Sequence, residues 1–196
     1  MSAHAQPSLT PDQYLEIERA AEFKSEYYNG CMYAMSGASY NHVLISGSFG
    51  AELYAALKKT PCAVAANDLR VRVSPLGLYT YPDIVVICGE PKFADDQKDT
   101  LLNPTFLAEV LSPSTEAYDR GFKSQQYRKI ESLQEYALVS QTEPRLEVFR
   151  RQPDGRWLLS EFAGLDAVSR FESLSCEIPL AEIYSKITFT GDEPIR

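Results

Sequence analysis

Two acids stand in this chain where apolar residues would cost less. Asp83 opens the run Ile84-Val-Val-Ile87, and Glu109 lies inside Phe106-Leu-Ala-Glu-Val-Leu111, each a short apolar stretch of the buried-strand kind. A carboxylate in such a stretch needs a cation, either a basic side chain or a metal ion. Twenty-six positions separate the two acids, enough for a loop and a return on a neighbouring strand. Adjacent strands lie roughly 4.8 Å apart, so two acids on one face could share an ion. A hard divalent cation such as Mg²⁺ takes one or two carboxylates, keeps several waters and leaves room for a phosphate. It would lower the pKa of a bound water, while an ammonium such as that of Lys123 would stabilise the attacking or leaving oxygen. The bland alternative is an ordinary ion pair between a strand acid and a lysine.

The elements that must position these residues follow from local patterns. Thr10-Pro-Asp-Gln13 joins a capping Thr, a Pro at the first helical position and a Gln three residues after the cap, predicting a helix to about Ala21. Asn29-Gly30 between two aromatic-rich runs predicts a hairpin from Glu26 to near Met35. Ser39 caps a second helix in which Ile45, Phe49, Leu53 and Leu57 recur at intervals of four. Cys62 to Ala66 and Leu69 to Val73 read as strands, the second alternating so that Arg70 and Arg72 share a wet face. After the strand from Asp83 and a charged loop, Thr105 to Leu111 forms the answering strand. A third helix begins between Thr115 and Asp119, with Phe122, Tyr127 and Ile130 on one face and Arg120 and Lys123 elsewhere. Glu135 to Val139 is a further strand, and Pro153-Asp-Gly155 turns a second hairpin between Arg145–Arg150 and Trp157–Phe162. Pro179 to Tyr184 is a short helix.

Composition narrows the classes. With 196 residues and 44% hydrophobic content, the chain suits one domain, residues 10–196, after a disordered lead-in over residues 1–9. A net charge of -8 argues against a surface built for unspecific phosphate binding, without excluding a local basic groove. The four cysteines, Cys31, Cys62, Cys88 and Cys176, are far apart with no C-x-x-C pair, so reduced thiols are expected and zinc is not. No apolar leader and no run of roughly 18 apolar residues is present, so no membrane partner is expected and a cytoplasmic location is.

Pro82-Asp83, the run Glu109-Val-Leu-Ser-Pro-Ser-Thr115 and Asp119-Arg-Gly-Phe-Lys123 with Tyr127 together resemble the Uma2 family of restriction endonuclease-like domains, within the PD-(D/E)XK nuclease superfamily. Glu26, Gly30, Met35, Ser36 and His42 match the family's hairpin and helix entry, and Asp68-Leu-Arg-Val-Arg72 its middle strand. The resemblance covers roughly residues 10 to 185. It implies an α/β (α+β) restriction endonuclease-like core, a mixed central sheet flanked by helices with additional hairpins. It also implies that Asp83 and Glu109 bind Mg²⁺ or Mn²⁺. The superfamily's lysine normally stands two residues after the second acid, where this chain has Leu111, and Lys123 is the expected substitute.

Glu26, His42, Glu52 and Asp68 are secondary candidates, Glu52 as a supporting carboxylate. Arg70, Arg72 and Arg120, with Lys123, would make a basic patch for nucleic acid. The function expected is a metal-dependent DNA endonuclease, with a homodimer formed through the hairpins at 26–35 and 145–162. The alternative is a catalytically inactive nucleic-acid or protein interaction module on the same fold, suggested by Leu111 and the net charge.

Overall fold

A computed structural model describes residues 8–66, 68–74 and 77–189. The expected disordered lead-in falls largely outside them, but Leu9 is tied down: its N–H donates to the Gly30 carbonyl at 3.0 Å and its carbonyl accepts from Tyr27 Oη at 2.7 Å. Helix α1 (Pro11–Ala20) starts with the capping box expected from Thr10 and Gln13. Strands β1 (Ser25–Tyr28) and β2 (Cys31–Ala34) form the hairpin. Asn29 and Gly30, at φ 47° and 86°, occupy the left-handed region that a two-residue primed turn requires. A side chain at residue 30 would also collide with Ser8.

Ser39 caps the long helix α2 (Tyr40–Leu57), its hydroxyl accepting from the His42 N–H. Then come β3 (Cys62–Ala66), β4 (Arg70–Arg72), β5 (Tyr79–Thr80), β6 (Ile84–Cys88), β7 (Thr100–Leu101) and β8 (Phe106–Val110). The third helix is one helical stretch in three parts: α3 (Glu116–Tyr118), a π-helical turn (Asp119–Lys123) and α4 (Ser124–Tyr127). Strands β9 (Glu135–Val139), β10 (Arg145–Arg151), β11 (Trp157–Ala163), β12 (Val168–Phe171) and β13 (Cys176–Pro179) lead to the short helix α5 (Leu180–Ile183).

The main sheet has the order β11-β10-β9-β8-β6-β3, antiparallel except for the parallel pair β8–β9. A second sheet, β2-β1-β5-β4-β7, is also mixed, with β4 and β7 parallel. Side chains alternate across the main sheet. One face (Ile84, Val86, Phe106, Ala108, Val110) packs on Ile45, Phe49, Leu53 and Leu57 of α2 and on α5. The opposite face (Val85, Ile87, Leu107, Leu111) packs on Val71, Leu78 and Leu101 of the second sheet and on Tyr127 and Ile130 of the third helix. Glu109 falls on this second face by parity and points into the space between the two sheets and the third helix, while Asp83, just before β6, lies at the strand end within reach of the start of α2.

Two expectations are corrected. Cys62 and Cys88 are not reduced but disulfide-bonded, because β3 and β6 pair in a register that sets the two directly opposite; Cys31 and Cys176 are free. Arg70 is not on a wet face: helix α1 covers that side of the second sheet, setting the Tyr14 ring 5.7 Å from the guanidinium, and Arg70 is 3% exposed. Lys123, the expected substitute for the lysine absent at position 111, is buried at 6% exposure. No helix among the described residues is long and apolar enough to cross a membrane.

Candidate active site

The register of β6 and β8 pairs Ile84 with Ala108, and its next rung sets Asp83 opposite Glu109. The strands are still linked there, since the Val110 N–H donates to Asp83 Oδ2 at 2.7 Å. The same oxygen lies 3.1 Å from His42 Nε2, reaching in from the first turn of α2. Burial works against the charged imidazole of His42, but the hydrogen bond and charge of Asp83 prevail and raise its pKa.

Lys123 comes from the helical stretch that covers this face. Its Nζ lies 3.1 Å from Glu109 Oε1, 3.0 Å from Glu26 Oε1 and 3.5 Å from Asp119 Oδ1. The π turn contributes to this aim: an added residue in a helical turn redirects the side chains around it, and such turns recur at functional sites. Asp119 and Lys123, at the two ends of the turn, both face inward. Around them, Tyr127 Oη donates to Glu109 Oε1 at 2.7 Å, Tyr118 Oη to Glu26 Oε2 at 3.0 Å, and Thr80 Oγ1 makes a short bond to Glu26 Oε1.

Four carboxylates, Glu26, Asp83, Glu109 and Asp119, thus surround one ammonium and one imidazole, and three of the four are almost fully buried. This excess of negative charge explains the titration behaviour. Burial, reinforced by the charges of Asp119 and Asp83, pushes Glu109 up to about 8 despite Lys123 beside it. Burial likewise raises Asp119. Burial opposes the charge of Lys123, yet Glu109, Glu26 and Asp119 together hold it well above the ordinary lysine value. Lys123 therefore stays protonated, and the unmet demand for positive charge falls on the carboxylates.

A divalent cation would answer that demand, and the donor set would suit a hard one. Among the described residues, the hydrogen bonds and ion pairs of the two acids fall on Glu109 Oε1 and Asp83 Oδ2, which leaves Glu109 Oε2 and Asp83 Oδ1 for a ligand. Two carboxylates without a soft ligand suit Mg²⁺ or Mn²⁺ and not zinc. No set of three His, Cys, Asp or Glu side chains among the described residues forms a ligand cage, so an ion here would keep several waters, as Mg²⁺ characteristically does.

The remaining candidates divide. Glu26 and His42, secondary in the sequence, belong to the cluster. Glu52 does not join it: it is ten residues, about 15 Å, further along α2 than His42. Asp68 is exposed and pairs with Lys24 at 2.7 Å. The basic patch does not assemble. Arg70 is enclosed by Thr100 Oγ1 at 2.9 Å, Tyr81 Oη at 2.8 Å and Asp99 Oδ2 at 2.9 Å. Arg72 is half-buried against the Tyr79 phenol. Arg120 is held between Glu116 and Glu147. Sequence reasoning missed Asp119, Tyr118 and Thr80 as members. The available signal for Asp119 was its spacing of four from Lys123, which puts both on one side of a helix.

The mixed sheet with helices on its faces and an acid–lysine cluster at the strand ends defines a nuclease-like fold. A crystal structure described as a putative nuclease belonging to DUF820, from Anabaena variabilis ATCC 29413, superposes with a TM-score of 0.75 over 92% of this chain and 99% of that one, at 20% identity. The Uma2 family model, described as "Putative restriction endonuclease", matches residues 11–181, and the chain belongs to that family. Two uncharacterised proteins of Synechocystis sp. (strain ATCC 27184 / PCC 6803 / Kazusa) are also similar. One is 35% identical over 93% of this chain and 95% of its own length, the other 36% identical over 83% and 92%.

Proposed function

We propose that the protein is a metal-dependent endonuclease hydrolysing phosphodiester bonds in DNA, with Asp83 and Glu109 holding Mg²⁺ or Mn²⁺ and Lys123 stabilising transition-state charge. One observation carries the reading. Two strand carboxylates and a buried lysine, from segments far apart in sequence, converge with Lys123 Nζ 3.1 Å from Glu109, although the position two residues after Glu109 is a leucine.

When bound, the ion supplies an activated water and neutralises charge on the phosphate. The chain's own residues do the positioning. His42 and the Val110 N–H fix the Asp83 carboxylate through Oδ2, which leaves Oδ1 free. Tyr127 orients Glu109 through Oε1. Lys123, held protonated beside Glu109, supplies the ammonium that would stabilise charge on a phosphate oxygen. The homodimer would use the β10–β11 hairpin, whose edge strand leaves Leu158 and Leu159 47% and 48% exposed, and sedimentation at micromolar concentration checks it.

The test is calorimetric titration with Mn²⁺ of wild type, Asp83→Ala and Glu109→Ala, with nicking of plasmid DNA measured in parallel. The expected result is wild-type binding and nicking, both lost in the two variants. Nicking that persists in Asp83→Ala would overturn the reading. No binding and no nicking by wild type would favour a non-catalytic interaction module.

A further inference from the structure

The cluster is charged inside but aromatic at its rim. Tyr118, in the first turn of the third helix, is anchored by its hydroxyl to Glu26 at 3.0 Å while its ring remains 36% exposed. That ring lies 5.7 Å from Lys123 Nζ, so it borders the ammonium assigned to the phosphate. One turn on, Phe122 stacks beneath it at 5.4 Å and 17°, and Tyr28 meets Phe122 edge-on at 4.7 Å. The ring is thus braced at its hydroxyl, on one flank and from behind. Tyr33, 54% exposed, stands directly opposite Glu26 in the β1–β2 register and shares its face of the hairpin. Two half-exposed tyrosines therefore flank the same carboxylate.

Among the described residues, the expected basic patch that would grip a duplex does not assemble beside the cluster. Arg70 is buried, Arg120 is neutralised by two glutamates, and the whole chain carries -8. Duplex binding draws most of its affinity from neutralised phosphates, whereas unpaired strands also bind by stacking bases on aromatic rings, which tolerates any sequence. We propose that the substrate is an unpaired polynucleotide strand, with the base beside the scissile phosphate stacked on Tyr118 and its neighbour against Tyr33. This rests on the nuclease reading and adds to it the substrate form.

The experiment measures fluorescence of 12-nucleotide strands carrying 2-aminopurine, added to the full chain with Mn²⁺. They are compared with the duplex of the same sequence and with the corresponding oligoribonucleotide. The expected result is quenching and binding of the unpaired strand at least roughly tenfold tighter than the duplex. Tyr118→Ala should weaken it about tenfold, and Tyr118→Phe should retain it, since the phenyl ring stacks without the hydroxyl. Tyr54→Ala, an exposed tyrosine twelve residues along α2 from His42, is the control and leaves binding unchanged. The ribonucleotide arm separates DNA from RNA strands. Duplex bound as tightly as the unpaired strand, or Tyr118→Ala without effect on the latter, overturns the inference. If nicking in Mn²⁺ and its loss in Asp83→Ala persist in that case, the nuclease reading stands. No binding to any polynucleotide together with no nicking overturns both.

Discussion

Replacing Lys123 by Met removes the ammonium but keeps the length of the stem. In the metal-free protein, Glu26, Glu109 and Asp119 then lose their shared cation inside a cluster where each is less than 10% exposed. Breaking a buried pair from one side costs about 3–5 kcal/mol, because the orphaned charge stays behind. For a domain of this size that corresponds to a fall in Tm of roughly 6 to 20 °C. The loss must depend on pH with a definite sign. Carboxylates whose pKa is raised in the folded state bind more protons folded than unfolded, so their penalty is full at high pH and fades as pH falls towards about 4.3. Glu109 already stands at about 8 with Lys123 present, so its own share of the gap opens only above that pH, and the gap at pH 8 rests on Glu26 and Asp119, whose charges Lys123 otherwise meets. Urea unfolding of both proteins at pH 8 and pH 5.5, in chelator, is the assay. The expected result is a large gap at pH 8 that narrows at pH 5.5, together with nicking reduced about 10²- to 10³-fold in Mg²⁺. A variant as stable as wild type at pH 8 would refute the reasoning, since it would mean that Lys123 neutralises nothing.

The other expectations rest on separate contacts. His42→Ala removes the imidazole 3.1 Å from Asp83 but leaves the Val110 N–H bond, so Mn²⁺ affinity should drop about 10- to 100-fold without vanishing, measured calorimetrically. Hydrogen bonds from Arg19 hold Asp99 well below the ordinary carboxylate value, so its stabilisation is present above pH about 4 and is lost on further acidification; Asp99→Asn should flatten the acid limb of the unfolding curve. Cys62 and Cys88 are separated by 26 residues, so Cys62→Ser should lower stability by roughly 3 kcal/mol in a denaturant titration without reductant. Alkylation of the protein in intact cells followed by mass measurement would reveal whether that bridge forms in its own compartment.

Local patterns carried most of the elements. The Thr10 to Gln13 box, the Asn29-Gly30 turn and the four-residue recurrence along α2 each depend on neighbours in sequence, and each is where the pattern set it. The failures are non-local. The alternation of Arg70 and Arg72 cannot reveal that Glu18, Tyr81, Thr100 and Asp99 assemble around Arg70 from three other segments. Nor does a separation of 26 residues announce a disulfide, because only the β3–β6 register makes Cys62 face Cys88. Asp83 and Glu109 were legible for the opposite reason: a charge inside an apolar strand is conspicuous whatever its partner.

The displaced lysine follows from the same geometry. Residue 111 lies on the same face as Glu109, but there the face has already closed over the apolar cluster, and Leu111 is 4% exposed among Leu107, Tyr127 and Leu138. A lysine at 111 would have to bury its charge in that apolar packing. Lys123 approaches from the helix across the gap and finds three carboxylates within 3.5 Å. The helical position supplies counter-charges that the strand position lacks, so the ammonium is held there against burial. Leu111→Lys combined with Lys123→Met should accordingly fail to restore either stability or nicking. Recovery of wild-type nicking by the double variant would show that position 111 can house the charge after all.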